Sequence, residues 1–440
     1  MNPIPIPPGM ETRLFLLEAD ALSQLPEAIH SLRGSQARPW LVADDNTWAA
    51  AGARVAEILR SAGLDGPAPF RFPGSPMLHA DESNVNLLLE AFPENVVPVA
   101  IGGGTVNDLV KRASGVRHVS YCCVPTAPSV DGYTSSGAAL TVAGLKQTLP
   151  CPAPLAVITD SGILRAAPSE MFAAGYADLM AKIPAGADWI AADTLGIEAI
   201  DPAVWALVQT PLRDNLSDPA DVRRVFTGLA ATGYAMQLYR DSRPASGADH
   251  LVSHIWEMEN LCCDGKPVSH GFKVAIGTVI STALYEALFS LSEQEARQLA
   301  RPGLNRAGRE AEIDALLSVG SYGAAARTIA LDKFREGRSL AERRELIYHN
   351  WEKLRQRILH QLYPLQELTA RLAAARCPVK PADIRLGREQ FLHGIRTAQL
   401  IRKRYTVLDL AYELGLMEEL LKRILPVMKF QAPQKISGTT

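Results

Sequence analysis

Val99-Ala100-Ile101-Gly102-Gly103-Gly104-Thr105-Val106-Asn107-Asp108-Leu109-Val110-Lys111 is the stretch whose reading decides the fold. Just upstream, Val96 and Val97 join Val99 and Ile101 in a short apolar run, the pattern of a strand buried in a parallel sheet. Three glycines follow at once. Val106, Leu109 and Val110 then share one face of a helix. Strand, glycine turn and helix start make a cradle for a phosphate. Glycine lets the backbone approach a ligand closely, and the N–H groups of a helix start attract an anion. The G-x-G-x-x-G fingerprint is met at Gly102 and Gly104, while Asn107 stands where its third glycine belongs. An ordinary tight turn between strand and helix reads the same way, so the flanking chain has to decide.

Outward from this centre, strands and helices alternate. Pro39 to Asp45 reads as a strand ending in two carboxylates, with helical spacing from Ala49 to Ala62. A carboxylate at such a strand end, here Asp44, can bond a ribose hydroxyl. A helix cap by Asp45 or Asn46 is the competing reading. Residues 11–33 carry an amphipathic start, residues 64–76 read as loop, Asn84–Phe92 as helix and Val116–Val124 as strand. The alternation predicts a parallel α/β sheet up to about residue 165. Beyond Pro168 nearly everything reads as helix, punctuated by prolines. The expected organisation is an α/β nucleotide-binding domain over residues 1–165 and an all-helical domain over residues 166–440.

Composition narrows the class. With 440 residues the chain is long enough for two domains and a large core. Its 47% apolar and 21% charged content is that of a globular enzyme. The net charge of −2, with both signs mixed along the chain, gives neither a nucleic-acid nor a membrane-surface footprint. No run approaches 18 consecutive apolar residues, so no membrane-spanning helix is expected. The proline-rich residues 1–10 lack the charged and apolar regions of a signal peptide. Six cysteines, two pairs of them adjacent, suit neither a disulfide framework nor zinc-site spacing, and point to a reducing cytoplasm.

Two kinds of segment carry candidate chemistry. Following the strand at Val119–Val124, Pro125-Thr126-Ala127-Pro128-Ser129-Val130-Asp131-Gly132-Tyr133 lies where α/β sheets bind ligands. Thr126 and Ser129 offer hydroxyls there, and Asp131 a carboxylate; a loop bonded to itself is the plainer alternative. In the helical half, Asp178 is an acid within an apolar helix. His250 and His254 lie four apart on one helix face, and His270 opens another helix. Two imidazoles and a carboxylate make a three-ligand metal site with open positions.

GGGTVND, VPTAPSVDGYTS, GYADLMAK, SGADHLVSH and SHGFKVAIG occur in the order of the superfamily of iron-containing alcohol dehydrogenases, glycerol dehydrogenases and dehydroquinate synthases. The chain most resembles the bacterial branch of the sn-glycerol-1-phosphate dehydrogenases, from about residue 38 to about 415. Asp188-Trp189, Ser246 to His250 and Tyr405 to Asp409 are features of that branch. Asp249 departs from it, standing where Glu is usual. The resemblance implies a dehydroquinate-synthase-like fold, NAD or NADP as cofactor, and one divalent ion: zinc first, nickel or iron(II) as alternatives. It makes Asp178, His250 and His270 the metal ligands and His254 either a histidine behind the ligands or the proton relay, although spacing alone does not rank His254 against His250. Gly102, Gly103, Gly104, Thr105, Asn107 and Asp108 would hold the pyrophosphate turn, with Thr126 and Ser129 near the nicotinamide. Asp131 would face the substrate hydroxyl.

The implied reaction interconverts sn-glycerol 1-phosphate and dihydroxyacetone phosphate. A substrate phosphate needs cationic or N–H partners, and Lys146, in an expected hairpin over residues 135–150, is a candidate for it; a solvated hairpin lysine is the alternative. The rivals are a glycerol or other polyol dehydrogenase, a dehydroquinate-synthase-like lyase, and a non-enzymatic binding protein. Asp178 argues against the lyase, whose first metal ligand is normally Glu. A small phosphorylated polyol is the expected partner, with no nucleic acid and no membrane, in a homo-oligomer.

Overall fold

The computed structural model describes residues 4–34, 37–142, 145–320, 322 and 324–430. The chain divides into two compact units, residues 1–182 with 201–245 and residues 183–200 with 246–440. The helices of 169–182 and 201–245 are thus counted with the first unit.

The first unit is built on eight strands: β1 (Leu14–Glu18), β2 (Pro39–Asp44), β3 (Phe70–Phe72), β4 (Val97–Gly102), β5 (Cys122–Pro125), β6 (Gly137–Val142), β7 (Leu145–Pro150) and β8 (Ala156–Asp160). Six form one parallel sheet in the order β1-β8-β5-β4-β2-β3, and β6 pairs with β7 as an antiparallel hairpin. Side chains alternate between two apolar layers. Trp40, Val42, Ala100, Cys123 and Val157 enter one, while Leu41, Ala43, Val99, Ile101, Cys122 and Ile158 enter the other. Burial on both faces is why these strands read as apolar runs rather than as alternation.

The chain leaves β2 toward β3 at one edge and leaves β4 toward β5 in the opposite direction. Adjacent strands β4 and β2 therefore flank a topological switch point, where open α/β sheets hold their ligands outside the strands' carboxyl ends. Gly102 and Asp44 are the last residues of those two strands.

Some local expectations shift. Val116 belongs to the helix Gly104–Arg117, and the next strand begins only at Cys122. Strands β1 and β3 lie in stretches read as amphipathic start and loop; both are short sheet edges, too brief to declare a period. Pro202, read as a break, opens the helix Pro202–Asn215 at its first turn, with Asp201 accepting from the N–H groups of Ala203 and Val204.

The second unit is helical, around His270–Phe289. This 20-residue helix is, by length and composition, apolar enough to cross a membrane, with mean hydropathy 1.4 over its best window. Lys273, Thr278, Ser281, Thr282 and Glu286 interrupt its apolar sequence, so no continuous run announced it. Within the unit 83% of that window is buried, as in a central core helix. Gly277 lets it press against the helix Ala248–Met258: a Cβ there would lie 2.1 Å from the Asp249 carbonyl oxygen.

Candidate active site

In the first unit, Gly103 occupies the cap position of helix Gly104–Arg117 with extended backbone, and no side chain caps the helix. The first-turn N–H groups thus lack an intrahelical or side-chain acceptor. The three glycines differ. A Cβ on Gly102 would meet the Val106 side chain at 2.6 Å and one on Gly104 the Val130 side chain at 2.7 Å, so internal packing demands both. A Cβ on Gly103 would meet only Met171 Cε, at 3.4 Å. Gly103 thus leaves room that the protein does not fill.

Neighbouring residues shape this turn. The Thr126 N–H donates to the Gly102 carbonyl at 3.1 Å, joining the ends of β4 and β5. Asn107 is buried: its oxygen accepts from Tyr121 and its amide lies 3.4 Å from the Gly132 carbonyl. Asp108 accepts from the Ala139 N–H at 3.3 Å, tying the helix to β6. Fully buried Lys111 donates to the Gly132 and Gly137 carbonyls at 2.6 and 2.9 Å. The Ser129 hydroxyl lies 3.3 Å from that of Tyr133. Thr105, in the helix's first turn, is half-buried. Asp44 accepts from the Thr47 N–H at 2.8 Å in a capping box, so the cap falls one residue before the expected Asp45 or Asn46. Asp45 instead pairs with Arg71 at 2.6 Å; the Arg71 guanidinium and the Gly74 N–H hold its carboxyl below the ordinary range.

Asp131 and Asp178 converge on a lysine the sequence reading did not single out. Lys182 Nζ lies 2.7 Å from a carboxylate oxygen of each. The Asp131 N–H also donates to Asp178 at 3.0 Å. Burial pulls the Lys182 ammonium down, but Asp131 and Asp178 outweigh it and raise its pKa, so it stays charged. A Cβ on Gly175 would strike the Pro128 carbonyl oxygen; only glycine lets the Asp178 helix approach the Asp131 loop so closely. Lys146 lies on β7 opposite Thr141, and its side chain falls outside the described residues.

In the second unit the structure gathers three histidines. The ring centroids of His250, His254 and His270 are 5.4–6.2 Å apart. A carboxylate stands at the Nδ1 of each. Asp249 takes that of His250, and Glu257 those of both His254 and His270, at 2.9 and 2.6 Å. Nδ1–H bonded to a carboxylate leaves Nε2 as the unprotonated nitrogen, the arrangement found in metal-ligating imidazoles. Burial pushes His254 down to about 4, against the pull of Glu257. Burial also pushes the Glu257 carboxyl up, but His270 and His254 outweigh it and hold it well below the usual range.

The three branch-specific segments meet at one buried carboxylate. Asp188 accepts from the Ala248 N–H at 2.7 Å, the Val407 N–H at 2.7 Å and the Tyr285 hydroxyl at 2.6 Å. Ala248 and Val407 each begin a helix, and the first of these carries His250. Sequence reasoning could have found Lys182, at i+4 from Asp178, and Glu257, at i+3 from His254, by following the helix face. Nothing in the sequence announced the Asp188 junction.

A sequence model of the iron-containing alcohol dehydrogenases matches residues 16–168. The glycerol-1-phosphate dehydrogenase [NAD(P)+] of Halalkalibacterium halodurans is 36% identical over 280 residues, which cover 61% of this chain and 70% of that protein. The chain belongs to the glycerol-1-phosphate dehydrogenase family. The Bacillus subtilis member is 35% identical over 286 residues, covering 60% of this chain and 72% of its own length. The fold is also that of a probable glycerol dehydrogenase from Sinorhizobium meliloti, with a TM-score of 0.58 at 16% identity over 93% of this chain and 96% of that one. The family's parallel sheet and helical region are both present here.

Proposed function

We propose that this chain is an NAD(P)-dependent sn-glycerol-1-phosphate dehydrogenase, interconverting sn-glycerol 1-phosphate and dihydroxyacetone phosphate with the help of one divalent metal ion. The observation that carries the reading is the cluster of three imidazoles, each oriented by a carboxylate at Nδ1. The proposed ligands are Asp178, His250 and His270, whose one carboxylate and two imidazoles are a donor set that suits zinc, nickel or iron(II). An ion held by these residues would supply a Lewis acid able to lower the pKa of the substrate alcohol.

The chain's own residues do the rest. His254, kept neutral by desolvation, takes up the alcohol proton at Nε2, and Glu257 balances the resulting imidazolium. Lys182 offsets one of the two negative charges of Asp131 and Asp178 and fixes both carboxylates, and Asp131 is the proposed partner of a substrate hydroxyl. The uncapped start of helix Gly104–Arg117 and the room left at Gly103 suit a pyrophosphate, whose nicotinamide end supplies the hydride acceptor. Asp44, at the end of β2 beside the switch point, is the proposed partner of a ribose hydroxyl. Lys146 is the proposed cation for the substrate phosphate. The free thiols of all six cysteines suit a reducing cytoplasm.

One screen tests the reading: purified protein, loaded with zinc, nickel or iron(II), assayed with both enantiomers of glycerol phosphate, with glycerol, and with NAD and NADP. A site built around a phosphate leaves its donors unpaired with an unphosphorylated analogue. We expect sn-glycerol 1-phosphate to exceed glycerol by on the order of 100-fold in kcat/KM, about 3 kcal/mol. Equal turnover of the two would make the chain a polyol dehydrogenase instead. His250→Ala should lose most of the bound metal, whereas His254→Ala should keep the metal and lose rate.

A further inference from the structure

Glu257 stands between two imidazoles to which the reading above gives different tasks. It lies on the helix Ala248–Met258, three residues after His254, and its side chain, 13% exposed, sits between two of the rings. Its Oε2 is 2.9 Å from His254 Nδ1, and its Oε1 is 2.6 Å from His270 Nδ1. His270 is the first residue of a different helix, His270–Phe289. The two rings stack at 5.9 Å with an interplanar angle of 23°. One carboxylate thus serves two rings on two helices, one oxygen to each. Lys273 Nζ, 4.0 Å from Oε1, adds positive charge to the same side of the carboxylate while donating to the Val268 carbonyl at 2.8 Å.

We infer that Glu257 is the positioning residue that makes the proton-accepting His254 and the metal-holding His270 a single unit, fixing both rings as Nδ1–H tautomers with Nε2 turned to the reacting centre. The proposal rests on the roles given above to His254 and His270. It goes beyond them because it assigns a residue outside the ligand set and makes the two tasks interdependent. A ring that lost this acceptor could move its proton to Nε2, and that nitrogen would then neither hold a metal nor accept a proton. Because the two bonds use the two oxygens of one group, a change that spares one oxygen should disable one ring while leaving the fold in place.

Glu257→Gln makes that change. The glutamine carbonyl oxygen can accept one Nδ1–H, but the amide NH₂ is a donor and cannot accept the other. The test uses metal-free protein carrying nitrogen-15-labelled histidine, in which ring nitrogen shifts report each tautomer. Single His254→Asn and His270→Asn variants assign the signals. We expect both rings as Nδ1–H in the unaltered protein and one of them converted to Nε2–H, or to a mixture, in Glu257→Gln. Zinc affinity, measured by competition with a chelator, should fall on the order of 10- to 100-fold, as when other partners of metal-binding histidines are removed. Glu257→Asp, which keeps two acceptor oxygens on a shorter stem, should restore the tautomers and part of the affinity. Unchanged tautomers in folded Glu257→Gln would overturn the proposal whatever the metal result. Undiminished zinc binding in His270→Ala would instead overturn the ligand assignment, so the two failures are separable.

Discussion

Gly102, Gly103 and Gly104 are chemically identical neighbours held in place by different requirements. Val106 crowds the first and Val130 the third, while only the tip of the flexible Met171 side chain approaches the middle one. Gly104→Ala should therefore cost about 1–3 kcal/mol of stability through overpacking. Gly103→Val should leave the thermal midpoint almost unchanged and weaken NAD(P) binding at least about tenfold, ~1.4 kcal/mol, because it fills the space the pyrophosphate backbone contact needs. Fluorescence titration with NADH, alongside a thermal melt, checks both halves; unchanged cofactor affinity in Gly103→Val would make the glycine turn merely structural. At this scale the sequence was a good guide to which residues gather within each unit, but not to every partner they bond to. Asp131 with Asp178, and His250 with His254 and His270, come together within their units as their motifs suggest. Asn107 and Asp108, by contrast, bond to Tyr121 and Ala139. Those partners lie 14 and 31 residues away, beyond the reach of a local pattern.

Among the elements, the junction at Asp188 links three segments that a sequence reading would treat as separate substrate determinants. Its carboxylate lies at the N-termini of two helices, Ala248–Met258 and Val407–Glu413, where backbone N–H groups and helix dipoles favour negative charge. Gly247 is required beside it, since a Cβ there would lie 2.4 Å from an Asp188 oxygen and 2.8 Å from Ala185 Cα. The segments thus set where the His250 helix begins. Asp188→Asn keeps the shape but turns one acceptor oxygen into a donor that faces N–H groups. It should destabilise the protein by about 1–3 kcal/mol in urea unfolding, the cost of a buried donor left unmatched. Metal stoichiometry in the folded fraction should stay at the unaltered value; a variant as stable as the parent would show that these bonds contribute nothing net. Central strands of the sheet were legible as apolar runs, and long helices by the period that burial on one face imposes. The edge strands β1 and β3 were not, since five and three residues are too few to show one.

Across the whole molecule, the cysteines divide by burial and thereby report on folding. Cys262 is exposed and Cys263 half-buried, whereas Cys122, Cys123, Cys151 and Cys377 are buried. A disulfide-exchange reagent at neutral pH should titrate two thiols in the native protein and six in denaturant; a third fast native thiol would contradict the burial of one of those four cysteines. Burial also gives these thiols a pH signature. It pushes the Cys122 thiol up from 9.0 to about 12, and raises Cys123 as well. Buried Tyr121 and Tyr133 are likewise raised, first by desolvation. An acid whose pKa is raised by folding keeps its proton in the native state after the unfolded chain has lost it. The unfolded state then binds fewer protons, so stability is fully present below pH 9 and falls as pH climbs toward 12. Each such thiol withdraws about 1.4 kcal/mol per pH unit within that window. Urea unfolding at successive pH values from 8 upward should show a plateau and then a decline that steepens above 9. Cys122→Ala should remove one thiol's share of the slope, at the cost of a small cavity in the sheet. A stability profile flat through that range, or a slope the variant leaves unaltered, would mean that Cys122 ionises in the folded protein as easily as in the unfolded one.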